Sequence, residues 1–125
     1  MVRRLLAGVA LGILLTCGVR IEPSAATEAS THVDEPGYQA LSWAEAREII
    51  CVYDWSCPIA MSIAECESGF LPTARNGKYR GLFQLGPEYD DLLQGDVYDA
   101  FENTRVAYEV YLRWGASFGA WRACL

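Results

Sequence analysis

One histidine, His32, and no C-x-x-C pair occur in the 125 residues of this chain. Without those ligand spacings a zinc site is not expected, and neither a metal nor a cofactor is called for by the rest of the sequence. A comfortable membrane span is also missing. The apolar run Leu5–Val19 falls short of the roughly 20 residues that a spanning helix needs. Basic charge is scarce: ten Lys and Arg stand against sixteen Asp and Glu, a net charge of −6. That balance argues against nucleic acid as a partner, which would want a basic face. There is no internal repeat, and alternating strand-like patterning is rare. The length suits one modest domain.

The N-terminus reads as a targeting segment. Arg3 and Arg4 precede the Leu5–Val19 run, and Ser24-Ala25-Ala26 offers small residues for cleavage after Ala26. Residues 1–26 are thus expected to be a signal peptide. Leu14-Leu15-Thr16-Cys17 is close to a lipoprotein box, which would make Cys17 a lipid anchor. An uncleaved signal anchor is a third option. All three readings export the domain, to the cell envelope or beyond it. Residues 27–41 are rich in Thr, Ala, Ser, Glu, Pro and Gly and read as a flexible linker. Without residues 1–26 the basic and acidic residues fall by three and one, to seven and fifteen, a net charge of −8. Four cysteines remain: Cys51, Cys57, Cys66 and Cys124. In a small exported domain an even number reads as two disulfides, with three connectivities open. Cys51 and Cys57 are close enough in sequence to join across a helix–helix turn.

The domain, residues 42–125, reads as mainly helical. Ser42-Trp43-Ala44-Glu45 is a capping-box pattern, followed by apolar Ala46, Ile49, Ile50 and Tyr53. Asp54-Trp55-Ser56 makes a turn, and Ser56 or Cys57 caps a second helix with Pro58 in its first turn. That helix runs to Glu67, and Ser68-Gly69 stops it. Residues 70–80 read as loop and short extended structure, turning at Asn76-Gly77. Gly81–Leu85 re-enters the core, and Pro87–Leu93 gives a short helical turn or two. Asp99 starts the last long helix, through about Trp114, with Tyr108, Tyr111 and Leu112 on one side. Phe118 and Trp121 close the chain against the core.

Glu67 stands out chemically. Ile59, Ile63 and Glu67 are spaced four apart, so one helix face carries all three, and two isoleucines mark it as the core face. The acid then projects from an apolar row at the negative end of the helix dipole. Burial and dipole both disfavour the carboxylate and raise its pKa. A carboxyl kept protonated near neutrality suits general-acid chemistry. Glu65 points elsewhere and reads as a solvated acid.

Glu67-Ser68-Gly69-Phe70-Leu71-Pro72, followed by Gly81-Leu82-Phe83-Gln84, resembles the E-S-x-F-x-P … G-L-M-Q signature of soluble lytic transglycosylases. The resemblance covers about residues 43–125. Cys66-Glu67-Ser68-Gly69 together with Trp121-Arg122-Ala123-Cys124 resembles resuscitation-promoting-factor domains, in which the equivalent cysteines pair. That likeness implies a Cys66–Cys124 disulfide beside Cys51–Cys57. Both resemblances imply a lysozyme-like α+β domain with a small β-hairpin, acting as a monomer on peptidoglycan glycan strands. In the transglycosylase scheme one glutamate, here Glu67, is acid and then base at the bond between muramic acid and glucosamine. Gln84, Asn76, Tyr108 and Tyr111 fall near substrate-contacting positions of the family. A hydrolytic muramidase would typically need a second carboxyl, about 5–5.5 Å away for retention or 6.5–9.5 Å for inversion, for which Asp90 and Asp91 are the candidates. A peptidoglycan-binding module without turnover is a third reading. The A-Y-N-A-G segment of many transglycosylases, which supplies a tyrosine, has no counterpart here, so the likeness is to a minimal version. The acidic domain offers an anionic wall no electrostatic attraction, so binding must rest on hydrogen bonds and sugar-stacking aromatics.

Overall fold

Ser42 opens the first helix through a closed capping box. Its Oγ accepts from the Glu45 N–H at 3.2 Å, and Glu45 Oε2 accepts from the Ser42 N–H at 2.7 Å. This is seen in a computed structural model that describes residues 39–125. The expected signal peptide, the Cys17 anchor, His32 and the linker up to residue 38 lie outside the described residues. Leu41, placed at the end of the linker by composition, packs on the core and donates its N–H to Phe70 O at 2.8 Å.

Helix α1, Trp43–Ile50, buries Ala46 and Ile50. Helix α2, Cys57–Ser68, starts at the Ser56 cap and buries Ala60, Met61, Ile63 and Ala64. Its buried stripe therefore runs beside the row expected from spacing. Ile59, expected on the core face, is 42% exposed, because the buried stripe at this end of α2 passes through Ala60 and Met61 instead; only Ile63 of that pair is a core residue. Gly69 ends α2 in the left-handed conformation, φ 60°, and bonds back to Glu65 O. Phe70 follows at φ 62° and is buried. This sharp turn sends the chain away directly after Glu67.

A two-stranded antiparallel hairpin comes next: β1, Arg75–Asn76, and β2, Tyr79–Arg80, with Asn76 opposite Tyr79. Gly77 supplies the positive φ in its turn. Arg80 then pairs with Leu85 around the tight loop Gly81–Gln84, which buries Leu82, Phe83 and Leu85. A 3-10 helix, Pro87–Leu92, leads toward α3, Ala100–Arg113, which is capped by Asp99 Oδ1 on the Glu102 N–H at 2.9 Å. A second 3-10 segment, Gly119–Cys124, ends the fold.

Asn103 of α3 is fully buried and holds the Gly81–Gln84 loop. Its Oδ1 accepts from Phe83 N at 2.9 Å, and its Nδ2 donates to Arg80 O at 3.1 Å and Val97 O at 2.9 Å. Gly81 is required beside it, because a Cβ there would overlap the Asn103 amide. Val106, Ala107 and Val110 face the core, whereas Leu112, expected on the tyrosine side of α3, is 45% exposed. Tyr108 and Tyr111 join an aromatic cluster around Trp55, in which Tyr108 stacks on Tyr53 at 4.8 Å and on Tyr111 at 5.9 Å.

Two disulfides staple this small, mainly α domain. Cys51–Cys57 joins the end of α1 to the start of α2, with Cα atoms 4.9 Å apart. Cys66–Cys124 joins the last turn of α2 to the C-terminal segment, with Cα atoms 5.9 Å apart. Among the described residues, no helix is long and apolar enough to cross a membrane.

Candidate functional site

Helix α2 delivers Glu67 to the mouth of a cleft of about 410 Å³, within the size range of small-molecule and glycan sites. Four groups of residues build the cleft. Glu67 comes from the last turn of α2. Asn76 and Tyr79 come from the hairpin. Gln84, Leu85 and Gly86 come from the buried loop and its exit. The remaining walls are Glu88 and Tyr89 from the first 3-10 helix, Trp114 from the end of α3, and Ala120 and Trp121 from the last segment.

Glu67 is half-buried, and burial pushes its carboxyl above the usual carboxylate range. The Cys124 sulfur lies 3.3 Å from Glu67 Oε1. Since Cys124 is in a disulfide, it has no proton to give. The carboxyl group is the one partner in that contact able to donate, so the contact also favours the protonated form. The C-terminal end of α2 acts in the same sense. Beside it, Trp121 is fixed in the floor by a 2.8 Å bond from Nε1 to Phe83 O. Trp114, nearly half exposed, donates Nε1 to Tyr89 Oη at 3.2 Å. This bond fixes the orientation of an indole that faces the cleft.

Comparison with protein-family models, curated proteins and solved structures finds no match to this chain. The site is therefore read from its own geometry.

Of the residues singled out by sequence, Glu67, Asn76 and Gln84 share the cleft. Gln84 adopts φ 50° and directs Nε2 to Ala74 O at 3.1 Å and Gly81 O at 2.9 Å. Both amide protons are thus committed to the backbone, and only Oε1 remains to meet a ligand, as an acceptor. Tyr108 and Tyr111 are not among the cleft residues; they pack on Trp55. Asp90 and Asp91 are held in ion pairs with Arg80 and Arg113 and do not line the cleft either. The carboxyl group that accompanies Glu67 there is Glu88. Sequence reasoning also missed Tyr79, Tyr89 and Trp114. A usable signal did exist for Trp114: an aromatic at a helix end, directly before a glycine stop, tends to lie at the surface. Among the described residues no three His, Cys, Asp or Glu side chains gather as a metal site.

Proposed function

We propose that this domain cuts the β-1,4 glycan strand of peptidoglycan at the bond from muramic acid to glucosamine, as a lytic transglycosylase with Glu67 as its acid and base. The observation that carries the reading is a half-buried glutamate with a raised pKa, opening into a cleft walled by Trp114, Trp121, Tyr79 and Tyr89. Aromatic faces suit the apolar faces of sugar rings, and a protonated carboxyl suits a leaving alkoxide.

In this scheme the Glu67 carboxyl protonates the glycosidic oxygen, which leaves as the 4-hydroxyl of glucosamine. The N-acetyl oxygen of the muramic residue bonds to C1 as the C1–O bond breaks. The Glu67 carboxylate then takes the proton of the muramic 6-hydroxyl. The freed O6 attacks C1 and displaces the acetamido oxygen, closing a 1,6-anhydro ring. Glu67 ends protonated, and no water is consumed. On this reading the Oε1 acceptor of Gln84 and the exposed Asn76 amide, both in the cleft lining, bond sugar hydroxyl or acetamido groups.

Digestion of purified peptidoglycan, followed by mass spectrometry of the fragments, tests this. Anhydro-muramic ends are expected from the wild type, and a loss of about 10²-fold or more from Glu67→Gln. Reducing ends that still depend on Glu67 would make the protein a hydrolase. No Glu67-dependent release from folded protein would leave a binding module.

A further inference from the structure

The cleft contains two carboxyl groups, Glu67 and Glu88, and no lysine or arginine lines it. Arg80 pairs with Asp90 and Arg113 with Asp91, and the Lys78 ammonium, though not a lining group, rides over the ring of the cleft residue Tyr79, 5.3 Å from its centroid. Among the described residues nothing is bonded to the Glu88 carboxylate. It lies over Gly86, which precedes the 3-10 helix with an ordinary φ of −75°. A Cβ at position 86 would overlap the Glu88 carboxyl group. The space over Gly86 is filled by the end of the exposed Glu88 side chain, turned back along the cleft wall, and a side chain at position 86 would push that carboxylate aside.

We infer that Glu88 is a specificity residue that makes the cleft favour glycan strands uncharged at the muramic lactyl group. This rests on the peptidoglycan reading and names the strand chemistry within it. Each muramic residue carries a lactyl ether on C3. Where a stem peptide is attached, the lactyl carboxyl is an amide and neutral. Where the peptide has been removed, it is a carboxylate. A bare lactyl carboxylate entering a cleft with an unpaired Glu88 and no cation meets like-charge repulsion, which disfavours it through negative discrimination rather than added contacts. At separations of several ångströms in a wet cleft, such repulsion amounts to about a three- to tenfold preference. The strands to which this cleft is fitted are then those still carrying their peptides, ahead of any amide hydrolysis that strips them.

The test uses one batch of peptide-free strands in two forms, with lactyl carboxylates and with those carboxyls converted to primary carboxamides of nearly the same size. Initial cleavage rates are measured at low salt. Wild type is expected to cut the carboxamide strands about three- to tenfold faster. Glu88→Gln should bring the two rates together, as should high salt. Gly86→Ala, which displaces the Glu88 carboxyl, should narrow the ratio as well. A wild-type ratio near one, or a ratio that survives Glu88→Gln whatever the absolute rates, overturns the assignment. If wild type cuts neither form, the cleavage reading is lost, and binding of fluorescently labelled strands decides the selection. Tighter binding of carboxamide strands by wild type but not by Glu88→Gln supports it, and equal binding overturns it.

Discussion

Glu67 is a group the fold would sooner keep neutral, and that has consequences for stability as well as for rate. Its carboxyl titrates above the unbound value of 4.5 because burial penalises the charge. Between the unfolded and folded pKa values the native state holds the proton more often than the unfolded state does. Stability therefore falls as pH rises through that interval, and the native state carries the penalty at neutral pH. Glu67→Gln keeps the shape and removes the charge. It should raise the melting temperature near pH 7 and leave it unchanged near pH 3, below both values. Thermal melts at the two pH values check this, and a variant less stable than wild type at pH 7 would contradict the burial argument. If the proposed cleavage holds, with Glu67 as its acid, activity should decline on the alkaline side at a pH above the ordinary carboxylate range. A carboxyl that weakens the fold when charged and opens into a cleft is what the proposed general-acid role would require.

Individual elements were legible where their signals are local. Ser42 with Glu45, Ser56 ahead of Pro58, Gly69 after Ser68, and Asp99 with Glu102 all act on backbone groups within four residues, so these helix ends follow from the sequence; the end of α1 does not, since the apolar series carries on to Tyr53 while the helix stops at Ile50. The hairpin and the buried run Leu82–Leu85 were legible for a similar reason: Gly77 and Gly81 mark the turns around them. The far wall of the cleft was not. Tyr89 and Trp114 meet across 25 residues, and Glu88 reaches the cleft through a 3-10 helix whose spacing encodes no face. Periodicity alone also placed Ile59 inside and could not separate Tyr108 and Tyr111, which serve the Trp55 cluster, from tyrosines facing a ligand. Asn103 shows what joins local elements into a site. It ties α3 to the loop that carries Gln84, with three bonds and no solvent. Asn103→Leu would strand the Phe83 N–H and two carbonyls, and should cost about 2–4 kcal/mol by chemical denaturation. Asn103→Asp keeps the acceptor for Phe83 N but loses both donations, so it should also destabilise. A cost below about 0.5 kcal/mol for Asn103→Leu would mean the loop holds its shape without this residue.

At the scale of the whole molecule, a core shared among fewer than ninety described residues is small, and covalent staples make up for what it lacks. The two disulfides are not equivalent. Cys51–Cys57 spans six positions and secures a turn that Ser56 and Pro58 already define, whereas Cys66–Cys124 spans 58 and fastens the C-terminal segment across α2. Chain entropy alone makes the longer closure worth about 4 kcal/mol and the shorter about 2 kcal/mol. Cys66→Ala with Cys124→Ala should therefore lower stability more than Cys51→Ala with Cys57→Ala. The sharper difference lies in the site. The segment held by Cys124 carries Ala120 and Trp121 into the cleft, and the disulfide sulfur itself touches Glu67. Releasing it exposes the carboxyl to water and removes the contact that favours its proton. The alkaline limb of the rate profile should then move to lower pH in the Cys66/Cys124 variant and stay in place in the Cys51/Cys57 variant. Rate profiles of both, recorded well below their melting temperatures, separate the two roles. A limb that moves equally in both would mean that general loosening of the fold, rather than the C-terminal staple, controls the proton on Glu67.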